Sequence, residues 1–253
     1  MIKGLMARAL RVLVPGAWYH VVNRGIERRL IFHGEANYQK FEELLGLMVQ
    51  QFGVRIHSYV LMPNHYHLQL ETPRENLSEA IRWLNVSYAV WLNRKRGRVG
   101  PLFQGRFKAM VHDPEESGLK IQEYIHLNPV RVKRFGSSRS NGSEDPSAQQ
   151  MEGMRKALIE YRWSSFRAYA GLVAQPRWLD IEETLSELPG RTLRLQQLGY
   201  REHFAEMLGT GEFGVGWKET LVTELALGSE DFVNRVRRLI KGERNEQKPV
   251  RQL

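Results

Sequence analysis

The order in which the hydrophobic period changes along the chain is the strongest constraint on its fold. Residues 17–23 (AWYHVVN) are β-branched and aromatic, and Arg24-Gly25 stops them, as expected of a strand. From Glu35 to Phe52 the apolar residues Tyr38, Phe41, Leu45, Met48 and Phe52 recur at helical steps, and Gly53 ends that helix. A second strand, 54–62 (VRIHSYVLM), turns at Pro63-Asn64 into a third, 65–71 (HYHLQLE), which makes a hairpin. Asn76, with Glu79 three residues on, predicts a capping-box start to a second helix carrying Leu77, Ile81, Leu84, Tyr88 and Trp91 as its apolar stripe. Residues 103–112 (FQGRFKAMVH) read as a fourth strand. The order β-α-β-β-α-β defines an α+β, ferredoxin-like domain: a four-stranded antiparallel sheet with two helices on one face.

An extra helix follows. Asp113 is a capping residue, Pro114 sits at the first helical position, and Glu115 and Glu116 suit the first turn. The helix should end or kink near Asn128, because Pro129 disfavours helical geometry in the residue before it. If it packs across the second face of the sheet, it closes a surface that would otherwise stay open. A flexible polar linker is expected over 135–155, centred on GSSRSNGSEDPSAQQ (136–150). Residues 156–253 read as a mainly helical region with an aromatic cluster in YRWSSFRAYAG, a basic helix starting at Ser229 and a disordered tail after Arg244.

Composition narrows the chemistry. With no cysteine, the chain has no disulfide, thiolate metal site or cysteine nucleophile. No stretch reaches the roughly 18 apolar residues of a membrane span and no signal-peptide core is visible, so a cytoplasmic protein is expected. A net charge of +9 favours a polyanionic partner. The charge is also unevenly placed: between Glu79 and Asp113 there is no acidic residue, while Arg94, Lys95, Arg96, Arg98, Arg106 and Lys108 lie among aromatic side chains. That pattern suits a nucleic-acid surface better than a solvated helix end.

Alternation along the third strand puts Tyr66, Leu68 and Leu70 toward the helix-covered core, and His65, His67, Gln69 and Glu71 on the other face. His65 and His67 then lie roughly 6.5–7 Å apart at Cα, close enough to converge on one cation. An H-x-H on any exposed strand would look the same. Tyr124 and Asn128, four residues apart, share a face of the extra helix and could reach those histidines. Two imidazoles and a carboxamide oxygen suit Mg²⁺ or Mn²⁺ if phosphate oxygens complete the shell. A tyrosine beside such a phosphate can attack it as a covalent nucleophile. His20, His57 and His126 are expected to be surface residues, Trp83 and Trp91 core residues, and Gln122 is offset from the Tyr124–Asn128 face. Glu123 could tune Tyr124 or be solvated.

His65-Tyr66-His67 resembles the histidine–hydrophobic–histidine (HUH) signature of single-strand DNA endonucleases, and Tyr124 resembles the lone tyrosine of their one-tyrosine transposase branch. MARALRVLVPGAWYHVVNRG, YVLMPNHYHLQL, LFQGRFKAMVHD and YIHLNPVRV are together similar to the REP-associated tyrosine transposases, over residues 6–134. The resemblance implies cleavage of single-stranded DNA at a palindromic hairpin. Tyr124 would be linked to the 5′ phosphate, with His65, His67 and Asn128 as metal ligands, in a protein that acts as a monomer rather than a dimer near the nucleoid. A non-catalytic hairpin-binding regulator and a rolling-circle initiator or relaxase are the competing readings. Met6 competes with Met1 as the start. The region after 134 could cover the site, bind the hairpin stem or pack against the sheet.

Overall fold

The computed structural model describes residues 13–131, 147–210 and 226–240. Its first half has the expected α+β order: β1 (Ala17–Arg24), α1 (Glu35–Phe52), β2 (Arg55–Met62), β3 (His65–Thr72), α2 (Leu77–Arg96), β4 (Lys108–His112) and α3 (Pro114–His126). A short helical turn, α4 (Asn128–Arg131), follows the kink at Leu127. The sheet has five strands in the order β2-β3-β1-β4-β5, the first four antiparallel as in the ferredoxin-like pattern. The fifth, β5 (Ala226–Leu227), is parallel to β4 and comes from the C-terminal region.

The period-2 reading of β3 holds: Tyr66, Leu68 and Leu70 are fully buried in the main core with Phe41, Leu45 and Met48 of α1 and Ile81, Leu84 and Tyr88 of α2. Truncating any of these large side chains to alanine costs about 2–5 kcal/mol. Trp83 and Trp91 pack against that core as expected. Two elements start differently from the expectation. β4 is only five residues long, because Phe103 makes one isolated bridge to Gly25 and Gly105 takes a positive φ, which breaks the ladder before Lys108. Asn76 precedes α2 without capping it; its amide donates instead to the carbonyl of Phe52 at 2.8 Å, tying the two core helices together.

The second sheet face is closed. Ile121 and Ile125 of α3 sit on Val60, Met62 and Met110 in a separate buried apolar cluster. The Asp113 side chain accepts from the Glu115 N–H and Pro114 occupies the first turn, so the start of α3 is set locally as the sequence predicts. The C-terminal helices α5 (Ala148–Glu160), α6 (Phe166–Tyr169), α7 (Glu182–Leu185) and α8 (Leu193–Thr210) lie outside α3 and along β2; α9 (Glu230–Ile240) follows β5. α5 begins inside the expected linker, with Ser147 and Gln150 forming a full capping box. Residues 1–12, which include the Met6 start, the first part of the linker and the tail after Arg244 lie outside the described residues.

Candidate active site

Residues paired directly across an antiparallel ladder share a face. On the α3 side, Met62, His65 and Arg24 form one row, and Val60, His67, Val22 and Lys108 form the next. A third row holds Ser58, Gln69, His20 and Met110. α3 crosses these rows. Ile121 and Ile125 dock it, and the same helix face carries Tyr124 to the histidines: the Tyr124 ring centroid is 5.5 Å from that of His67 and 5.8 Å from that of His20. His65 and His67 have ring centroids 5.1 Å apart. The Asn128 amide donates to the carbonyl of Tyr124 at 2.8 Å, which turns its oxygen away from the helix, and the side chain is within hydrogen-bond reach of His65. The four candidate residues are thus brought together by one strand and one kinked helix.

The hydrogen bonds fix which ring nitrogens are available. His65 Nδ1 is 2.7 Å from Asn64 Oδ1, an acceptor, so Nδ1 carries the proton and Nε2 the lone pair. His67 Nδ1 is 2.9 Å from His20 Nε2. When Nδ1 of His67 donates to His20, its Nε2 is also free to ligate. Burial, and then the Arg24 cation, hold the His65 pKa down at about 4. Burial, then His20, His65 and the two nearby arginines, push His67 well below the usual imidazole range. Both rings are therefore neutral at neutral pH. Two neutral imidazoles and an outward amide oxygen are a donor set that fits a divalent cation with open positions.

Burial raises the Tyr124 pKa, and Arg131 and Arg24 act against that rise. Arg131, on α4, lies with Cζ 4.4 Å from the Tyr124 ring centroid. Glu123, beside the tyrosine, points outward and is 2.6 Å from His203 Nε2 of α8.

The remaining expectations divide. Arg94, Lys95, Arg96, Arg106 and Lys108 are exposed and Arg98 half-buried, and Lys108 ends the row that contains His67. Lys95 rests over Trp91. Three histidines expected on the surface are buried instead. His20 is 2% exposed and supports His67; His126 lies between Tyr200 and Ser165 at 2.7 and 2.6 Å. His57 lies in a bulge of β2 that turns it onto the α3 side with Ser58, where it stacks on Trp18 at 3.6 Å. Sequence reasoning missed His20, Arg24 and Arg131. Ladder register alone would have paired Arg24 with His65, and Arg131 lies in the quoted motif YIHLNPVRV, hidden behind a proline taken as the helix end.

A second group of metal-ligand types, His57, Glu71 and Glu183, has ligand atoms within 4.8 Å of one another. Arg55 already sits there, 2.8 Å from Glu71, 2.6 Å from Asp180 and 2.9 Å from Glu183. This is a charge network that fastens α7 and the segment before it to β2.

Residues 14–128 match the family model described as "Transposase IS200 like". A solved structure described as "Structure of the REP associates tyrosine transposase bound to a REP hairpin" aligns with 17% identity, 69% of this chain, 92% of that chain and a TM-score of 0.49. Comparison with curated proteins gave no match. No described helix is long and apolar enough to cross a membrane.

Proposed function

We propose that the chain is a divalent-metal-dependent single-stranded DNA endonuclease and strand transferase that acts at palindromic, REP-like hairpins through a 5′-phosphotyrosine. The observation that carries this reading is the convergence of Tyr124 with His65, His67 and Asn128 across one sheet face. His65, His67 and Asn128 would hold Mg²⁺ or Mn²⁺, which when bound supplies Lewis-acid polarisation of the scissile phosphate. The Tyr124 hydroxyl attacks phosphorus, the bond to the 3′ oxygen breaks, and the phenolic proton is lost as the 3′ oxygen gains one. The product is a phosphotyrosine and a free 3′ hydroxyl; attack by another strand's 3′ hydroxyl reverses the step. Arg94, Lys95, Arg96, Arg98, Arg106 and Lys108 contact the DNA backbone, and Lys108 leads from that surface to the histidine row. C-terminal segments pair with both outer strands, along β2 and at Val111 and His112 of β4, which supports a monomer over strand pairing between copies. The protein acts in the cytoplasm, at the nucleoid.

Incubation with labelled single-stranded hairpins and Mn²⁺ should give a covalent adduct that survives a denaturing gel. Tyr124→Phe should abolish it, and EDTA should reduce it at least a hundredfold. An adduct formed by a folded Tyr124→Phe protein, or one indifferent to EDTA, refutes the assignment. Tight hairpin binding without cleavage in any divalent ion would favour the regulator reading, and nicking of a supercoiled replication origin the initiator reading.

A further inference from the structure

The proposed reaction leaves one charge unaccounted for. His65 and His67 stand on the sheet side of Tyr124, with Asn128 at the start of α4 bonded to the Tyr124 carbonyl, so a phosphate placed between the histidines and the tyrosine presents one non-bridging oxygen to the sheet. The other non-bridging oxygen faces the chain beyond α3. There the backbone turns back: Pro129 follows the kink, the Arg131 N–H donates to the Leu127 carbonyl at 3.1 Å, and the Arg131 side chain returns over the last turn of α3. Its guanidinium carbon stands 4.4 Å from the Tyr124 ring centroid, and the group is within hydrogen-bond reach of the phenolic oxygen. A guanidinium is expensive to place in a largely buried position unless it serves an anion or an aromatic face. Here it has the face of the nucleophile itself. Glu123, hydrogen-bonded to His203 on the outer side, also acts on Arg131 through its charge.

We propose that Arg131 is a catalytic residue of this centre, gripping a non-bridging oxygen of the scissile phosphate while it holds the attacking oxygen of Tyr124. The proposal rests on the transposase reading of the site and goes beyond it, because the cation comes from outside the histidine–tyrosine–asparagine set. In the displacement, the Tyr124 Oη–phosphorus bond forms and the bond from phosphorus to the 3′ oxygen breaks. The phenolic proton leaves and a proton is taken up by the 3′ oxygen, so Arg131 stays protonated throughout and exchanges none. Its planar fork matches phosphate geometry, and its position is set before DNA arrives, which is the condition for electrostatic stabilisation of a transition state.

The test uses charge on the substrate. The full-length wild type first captures a hairpin from a pool of single-stranded hairpins with randomised flanks in Mn²⁺, which maps the cleaved phosphodiester. That hairpin is then made with either a phosphodiester or an uncharged methylphosphonate at the mapped position. Arg131→Ala should bind the uncleaved hairpin within about threefold of wild type. It should form the adduct about 10²–10³-fold more slowly on the phosphodiester, the size of loss seen when one such donor is removed. On the methylphosphonate, where the charge that Arg131 serves is gone, the difference should shrink to less than about tenfold. Arg131→Lys, which keeps the charge and loses the fork, should fall between.

Equal loss on both substrates would show that Arg131 only packs against Tyr124, and an Arg131→Ala protein as fast as wild type would remove it from the reaction. Either result leaves the transposase reading intact. A wild type that forms no adduct on any hairpin overturns that reading and the role of Arg131 with it. Retained thermal unfolding of Arg131→Ala, checked by circular dichroism, keeps a slow rate from being mistaken for a failed fold.

Discussion

At the scale of single residues, the site depends on which nitrogen of each imidazole is engaged elsewhere. Asn64 occupies Nδ1 of His65, and His20 occupies Nδ1 of His67. Each partner orients its ring and leaves Nε2 outside that bond. Partners of this kind commonly change metal affinity by about 10–100-fold. His20→Phe keeps an aromatic ring beside His67 but removes the acceptor. Mn²⁺ affinity, followed by the loss of free-ion electron paramagnetic resonance signal, should therefore weaken by about tenfold or more. His20→Gln retains an acceptor and should recover part of that loss. Unchanged Mn²⁺ affinity in His20→Phe would mean that the His67 tautomer needs no support. The period-2 alternation of HYHLQLE is enough to separate the His65/His67 face from Tyr66, Leu68 and Leu70. His20 is a different case. It lies on the polar side of its own strand, and its burial comes from α3, which is 94 or more positions away in the chain. Nothing local marks it as different from a solvated histidine.

At the scale of elements, local chemistry made some boundaries legible and long-range contacts decided the others. Asp113-Pro114 starts α3 through its own side chain and ring, and Pro129 forces the kink that separates α3 from α4, so both could be read from sequence. The bulge that buries His57, the shortened β4 and the two-residue β5 could not. Each is set by a partner strand or a packed segment rather than by the residues within it. β5 shows how close such a fit is. The Asp113 N–H donates to the Leu227 carbonyl at 2.8 Å, so the start of the tyrosine helix is hydrogen-bonded to the C-terminal strand. At the next residue, Gly228, an added Cβ would lie 2.6 Å from the Asp113 Cβ and 2.9 Å from the Phe232 ring. Gly228→Ala should cost about 1–3 kcal/mol, as overpacking does, and should act first on this junction. Hydrogen exchange at the Asp113 amide should accelerate while that of amides in β3 is little changed. Equal protection in the variant would show that α9 shifts to make room.

At the scale of the whole molecule, the C-terminal region completes the α+β domain by covering what that domain leaves exposed. Segment 161–181 runs along β2: the Leu61 N–H donates to the Trp163 carbonyl, the Ser165 N–H to Tyr59 and the Asp180 N–H to Ile56. β5 covers the opposite edge. Closed edges prevent strand addition between copies. α6 and α8 cover the outer side of α3 with Phe166, Tyr169, Tyr200 and Phe204 packed around His126. α3 over the sheet histidines, and α6 and α8 around His126, leave many imidazoles in a medium that disfavours their charge. Burial lowers His20 and His126 to about 3, and His65 and His112 to about 4. In the unfolded chain these four, and His67, whose pKa burial also pushes well down, titrate near 6.5. Between about pH 6.5 and 4, unfolding therefore takes up protons that the native protein cannot bind. Stability contributed by the neutral rings is fully present above 6.5 and is lost as pH falls through this window. Each group supplies at most about 1.4 kcal/mol per pH unit, the value of one proton. His203, raised by its hydrogen bond to Glu123, has the opposite sign, but below 6 it is protonated in both states and adds nothing to the slope there. Urea unfolding midpoints should thus fall steeply from pH 6.5 to 5, before most carboxylates titrate, with an uptake of about five protons per molecule at the lower end. A flat profile across that interval would mean that these imidazoles carry their charge in the native state, and hence that neither α3 nor the C-terminal helices keep them from water.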